Sequence, residues 1–250
     1  MIIGAQFFTV REFTKDLEGL AESLKRVADI GYKTVQISGT CPFEPQWLAE
    51  ELKKNGLTCV VTHTSGDKLM ADPAQVAADH AVFGCENIGL GYYKFDESEE
   101  TKTYANYVKC YKPVAESIRA NGKYFMHHNH ATEFRKVEGK RVIERLAEDF
   151  SPEEMGFILD TYWIQKAGGD PAAWIEKFSG RLPVIHLKDY NFDATMAVVG
   201  EGNINFDRVF EKAESAGVKY MMVEQDNCNG EDPFECLRRS YEFLKSCGFN

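Results

Sequence analysis

Short apolar and β-branched runs alternate along this chain with longer stretches in which apolar residues recur every three or four positions. The first run, residues 2–8 (IIGAQFF), predicts a strand. Leu17, Leu20, Leu24, Val27 and Ile30 then follow helical spacing and stop at Gly31, which predicts a helix over 13–30. The same alternation predicts strands over 34–37, 58–63 and 87–91, and helices over 45–54, 72–83 and about 97–120. Pro73 suits the start of the third helix, while Asn55-Gly56 and Gly84 supply stops. Four more runs predict strands five to eight: 124–130 (YFMHHNH), 156–160 (GFILD), 182–186 (LPVIH) and 220–224 (YMMVE). Helices fit between and after them at about 142–148, 171–178, 206–216 and 233–246. Strict strand–helix alternation predicts a parallel sheet, and eight units predict closure into a (β/α)8 barrel. Neither GxGxxG nor GxxxxGK[ST] occurs, which argues against a nucleotide-binding open sheet. No linker or low-complexity segment interrupts the pattern, so one domain is expected over 1–250.

Composition narrows the classes. The chain has 250 residues, 44% of them hydrophobic, enough for the core of one such barrel. Its net charge is −10 without a basic block, a poor match to nucleic acid or an anionic membrane. No run of 18 apolar residues predicts a membrane-spanning helix, and the N-terminus lacks the pattern of a signal peptide. Seven scattered cysteines without a CxxC suggest reduced thiols in a cytoplasm. A homodimer is the common default for the assembly.

The chemistry is expected where the last four strands end. Active residues of a barrel sit at the C-terminal ends of its strands. Side chains alternate along a strand, so His128 and His130 share one face, with His127 and Asn129 on the other. His186 pairs with Lys188 in the same way, Asp160 ends strand six, and Glu224 ends strand eight with Asp226 two further on. Two imidazoles and two carboxylates make a mixed nitrogen–oxygen site, better suited to Mn²⁺, Co²⁺, Fe²⁺ or Zn²⁺ than to Ca²⁺. Each residue alone has a plainer reading: Asp160 before Thr161 as a helix N-cap, each histidine as a hydrogen-bonded side chain, Glu224 as a solvated loop residue. Four such residues at four successive strand ends favour the metal.

The segments HxHxxEF (128–134), LDTYW (159–163), Asp170-Pro171 and HLKD (186–189), followed by Gly200-Glu201-Gly202, together resemble the xylose isomerase-like TIM-barrel superfamily. That group holds sugar and sugar-phosphate isomerases and epimerases, inosose isomerases and dehydratases, and the endonuclease IV branch. The resemblance implies one divalent metal ion (Mn, Co, Zn, Fe or Mg), with Asp160, His186 and Glu224 matching the family's Asp, His and Glu. The fifth-strand ligand of the family is usually Glu; here the position reads as His130, with Glu133 as the alternative and His128 beside the metal. Gln36, His63 and Trp163 are expected against a sugar or cyclitol substrate. Lys188 is expected to neutralise an enolate or donate a proton, and Glu224, with Glu133 or His128 on the other face, to move the α-proton. The expected activity is a metal-dependent sugar isomerase or epimerase working through an enediolate. A lyase or dehydratase on a keto-sugar, inosose or 3-keto-glycoside is the alternative. An endonuclease would require a three-metal cluster and basic loops, and a binding barrel would lack metal.

Overall fold

The computed structural model describes residues 1–249. Eight parallel strands close into a barrel: β1 (Ile2–Gln6), β2 (Thr34–Ile37), β3 (Thr58–Thr64), β4 (Asn87–Leu90), β5 (Tyr124–His128), β6 (Met155–Asp160), β7 (Val184–Leu187) and β8 (Tyr220–Val223). Each strand pairs with its neighbours in sequence, and β1 pairs with β8 to close the ring. The main helices are α1 (Leu17–Ile30), α2 (Pro45–Asn55), α3 (Pro73–Val82), α4 (Tyr104–Ala120), α5 (Val142–Asp149), α6 (Pro171–Lys177), α7 (Phe206–Ser215) and α8 (Pro233–Ser246). The expected (β/α)8 architecture is therefore observed.

Most boundaries moved for local reasons. β1 stops at Gln6 rather than residue 8, because the Gln6 side chain accepts a hydrogen bond from the Phe8 N–H and turns the chain into a 3₁₀ segment over Phe7–Phe13. Asp16 then caps α1 by accepting from the Gly19 N–H at 2.8 Å, so the helix begins at Leu17. α4 starts at Tyr104 instead of 97, since the Asp96 carboxylate accepts from the N–H and hydroxyl of Ser98 and holds a turn there. Two short helices, Gly66–Ala71 and Thr161–Lys166, had no periodic signal long enough to predict them.

Inside the ring, Val61, Met126, Ile158, Val184 and Met222 form a separate apolar cluster. The larger core lies between strands and helices and includes Leu20, Leu24, Tyr107, Phe125, Phe157 and Val209. The expected strand-period alternation thus sorts the residues of β5 to β8 between two cores.

One buried polar contact in this scaffold has a measurable consequence. His80 on α3 is 6% exposed; its Nδ1 faces the Val76 carbonyl at 2.7 Å and its Nε2 the Thr62 hydroxyl at 2.8 Å, the pattern of a neutral imidazole. Burial pushes its pKa down to about 4, despite the Val76 carbonyl and Asp79 favouring the charged form; Lys123 opposes it. The folded state therefore binds fewer protons than the unfolded chain between about pH 4 and 6.5. Stability from this residue is complete above pH 6.5 and falls by about 3 kcal/mol as pH drops to 4. Urea unfolding of wild type and His80→Gln across that range should show a shallower pH slope in the variant; equal slopes would refute the assignment.

Candidate metal centre and active site

The interior alternation continues to the C-terminal mouth and places the polar residues. Met126, Ile158, Val184 and Met222 are each followed two positions later by His128, Asp160, His186 and Glu224. One donor atom from each of these four residues lies within 4.8 Å of the others, and all four residues are buried.

Every one of the four is held from behind by a second group, which leaves one atom turned inward. The His128 Nδ1–H donates to the Gly91 carbonyl at 2.9 Å, leaving Nε2 3.4 Å from Asp160 Oδ2. The His186 Nε2–H donates to Gln36 Oε1 at 2.7 Å, leaving Nδ1 2.9 Å from Glu224 Oε2. Glu224 Oε1 accepts from the Gln6 amide at 2.7 Å, which leaves Oε2. Asp160 Oδ1 accepts from the Trp163 N–H at 3.1 Å, which leaves Oδ2. Asp160 is thus both the helix N-cap and an inward carboxylate, one oxygen for each task. Outer partners of this kind fix tautomer and orientation in metal sites.

The donor set fits a divalent metal ion. His186 Nδ1 and Glu224 Oε2 face one another while buried and form no hydrogen bond. Two imidazole nitrogens and two carboxylate oxygens are the chemistry that transition metals take. Charge agrees too. The Lys188 ammonium, 1% exposed, lies 3.0 Å from Asp160 Oδ2, 2.9 Å from Glu224 Oε2 and 2.9 Å from Asp226 Oδ1. Three carboxylates and one ammonium sum to two negative charges, which a dication bound by the two imidazole nitrogens would neutralise.

These groups shift one another's protonation. Burial works against the charge on Asp160 and Glu224, but Lys188 and the histidines overcome it and hold both far below the carboxylate range. Burial opposes the Lys188 charge, and Asp160, Glu224 and Asp226 more than restore it. Burial also lowers His186, against which Glu224 and Asp160 raise it above its ordinary value. Asp226 is pushed up to about 6 by burial and by Glu224, against the pull of Lys188.

Above the four donors opens a cavity of about 500 Å³, within the range of small-ligand sites. Its wall includes His63, Tyr92, His128, His130, Lys188, Glu224 and Asp226. His63 and Lys188 come from β3 and the end of β7, which stand four places apart in the eight-strand ring and so face each other across the mouth. Burial, with His128 and His186 nearby, drives His63 well below its usual pKa, so it faces the mouth as a neutral ring.

Several expected positions differ. β5 ends at His128, so His128 supplies the inward nitrogen expected of His130. His130 instead opens a 3₁₀ turn and is wedged among aromatic rings, 5.0 Å from Tyr92, 4.8 Å from His128 and 5.0 Å from Trp163. Burial and His128 push it down to about 3. Glu133 does not reach the mouth. It lies fully buried behind the barrel wall, accepts from the His130 N–H and the Thr132 hydroxyl, and sits 3.4 Å from outward-facing His127. Gln36 accepts from His186 through Oε1, while its Nε2 is buried without a partner. Trp163 backs His130, with Lys188 Nζ 5.6 Å from its ring centre, and does not line the cavity. Gln6 carried no sequence signal beyond being a polar residue in a buried strand. Asp189, next to Lys188, accepts backbone N–H bonds from Tyr190, Gly200, Gly202 and Ile204 and so gathers the Gly200-Glu201-Gly202 turn against the end of β7.

Gln36→Leu keeps the bulk but removes the acceptor that orients His186. It should weaken Mn²⁺ binding by about 10–100-fold in a calorimetric titration. Unchanged affinity would mean that the imidazole is positioned by other contacts.

Comparison with known proteins agrees with the fold. A family model described as xylose isomerase-like TIM barrel matches residues 24–247. An inosose dehydratase of Geobacillus thermodenitrificans (strain NG80-2) is 26% identical over 144 residues, which cover 49% of this chain and 47% of that protein. The chain thus spans about half the length of the curated relatives it matches. A sugar phosphate isomerase/epimerase of Parabacteroides distasonis ATCC 8503 superposes with a TM-score of 0.83 at 20% identity, over 98% of this chain and 93% of that one. An L-ribulose 3-epimerase superposes with a TM-score of 0.76 at 16% identity, over 98% and 94%. At such identities the superpositions speak for the fold, and the family model covers most of the chain: this protein belongs to the xylose isomerase-like TIM-barrel family.

Proposed function

We propose that this protein is a metal-dependent isomerase or epimerase that moves a proton beside the carbonyl of an unphosphorylated sugar or cyclitol. The observation that carries the reading is the set of four inward donor atoms, each anchored by an outer partner, with the Lys188 ammonium against two of them. A divalent ion held by His128, Asp160, His186 and Glu224 would polarise the substrate carbonyl and stabilise the charge that develops as the α-proton leaves. The chain's own groups do the rest. Lys188 lies where it can hydrogen-bond the developing oxyanion. Gln6 takes Glu224 Oε1, and Oε2 is the atom turned to the metal position beside Lys188, so we assign the role of base to Asp226, which reaches the cavity and is paired with Lys188 through Oδ1. His63, on the opposite wall with its Nε2 unpartnered, is placed to exchange a proton on the other face. Lys188 is the one cationic side chain among the described residues lining the cavity, which favours a neutral sugar over a phosphorylated one.

A dehydratase is the second reading, and the similarity to inosose dehydratases over half the chain is what favours it. It uses the same first proton transfer, after which a β-hydroxyl leaves as water. Incubation of the Mn²⁺-loaded protein with ketoses and keto-cyclitols in D₂O separates the two. Deuterium at the α-carbon with no loss of water supports the isomerase or epimerase; loss of water supports the dehydratase. Absence of both across the panel would remove the proton-transfer reading.

A further inference from the structure

Beside the metal-site cavity lies a second one of about 230 Å³, between the ends of β2 and β3 and helix α3. The two share Ser38, Gly39, His63, Thr64 and Ser65 as a common wall. Their chemistry differs. The first carries histidines, Lys188 and carboxylates, whereas the second sets Ile37, Phe43, Val76 and Phe83 beside a polar rim that includes Thr40, Lys68, Asp79 and His80. The rings of Phe43 and Phe83 meet edge to face with centroids 6.5 Å apart.

We propose that this annex is a distal subsite for a flat apolar substituent, such as an aryl group, carried by a sugar whose carbonyl end sits at the metal centre. The inference rests on the sugar reading above and adds the substrate class: a glycoside-like molecule larger than a monosaccharide. Three observations support it. The His63 ring separates the annex from the donors by a single imidazole, 4.9 Å from the His128 ring and 5.5 Å from the His186 ring. Its Nδ1 is 3.2 Å from the Ser38 hydroxyl, while Nε2 is buried without a partner, so a substrate oxygen crossing this wall meets an imidazole nitrogen. The wall is bare backbone at Gly39, where φ is +68° and a Cβ would come within 2.8 Å of Phe8 Cδ2. A monosaccharide would leave the Phe43–Phe83 surface to water; an aromatic ring would bury it.

The test titrates Mn²⁺-loaded protein with the phenyl and methyl 3-keto-β-D-glucosides, with saturation-transfer NMR on the phenyl protons in the diamagnetic Zn²⁺-loaded form. The phenyl glucoside should bind at least about tenfold more tightly, with the strongest saturation on its ring. Phe43→Ala, at a half-buried position, should reduce that preference below about threefold and leave methyl glucoside affinity unchanged. Phe83→Ala should do the same from the other wall. Equal affinities, a preference that survives both substitutions, or no binding of either glucoside would overturn the annex. Failure of Mn²⁺ itself to bind would instead count against the metal reading.

Discussion

His128→Ala should lower Mn²⁺ affinity by more than the about 10–100-fold that loss of an outer partner costs, and turnover should fall with it. His130→Ala should leave affinity within about tenfold, because of the two strand-five histidines only His128 is among the four inward donors. The physical reason is where the strand ends. His128 is the last residue of β5, with its Nδ1–H tied to the Gly91 carbonyl, and its ring is aimed at Asp160. Glycine at 91 lets His63 pack beside this turn, since a Cβ there would lie 2.7 Å from the His63 ring. His130 comes after the turn has begun and packs as an aromatic plate between Tyr92 and Trp163. Titrations of the two variants side by side decide the matter: a larger loss for His130→Ala would place the fifth-strand ligand one turn later.

Lys188→Met separates metal binding from turnover. The ammonium lies within 3.0 Å of three carboxylates at a buried position. Removing it leaves those charges uncompensated, so metal-free protein should lose about 3–5 kcal/mol in urea unfolding. Mn²⁺ restores much of this, because the ion supplies the missing positive charge. Turnover in the loaded variant should still fall by about 10²–10³, the contribution of one hydrogen-bond donor to a developing oxyanion. A loaded Lys188→Met protein with wild-type turnover would make the lysine a structural counter-ion only.

The barrel was legible because two periodicities carry it. Apolar runs such as GFILD and YMMV mark strands buried on both faces, and Leu17-Leu20-Leu24-Val27 marks a helix of the outer layer. Asp160, His186 and Glu224 were legible for the same reason, as polar ends of apolar strands at the rim of a barrel. What the sequence hid depends on contacts across the ring. Gln6 reaches Glu224 over 218 residues of chain, and Gln36 reaches His186 over 150. No local pattern marks an amide that orients a ligand. Glu133 misled for a related reason: HxHxxEF places it near the histidines in sequence, but it turns outward to His127 behind the wall. The choice between His128 and His130 hinged on one turn of backbone, and strand ends are where sequence periodicity is least informative.

The central claim is that four strand ends hold one divalent ion. Chelator-stripped protein titrated with Mn²⁺ should bind one equivalent at a saturable site, and Asp160→Ala should abolish it while keeping the barrel's circular dichroism. A folded Asp160→Ala protein that still binds one Mn²⁺ with wild-type affinity, or a wild-type protein with no saturable site, would contradict the account.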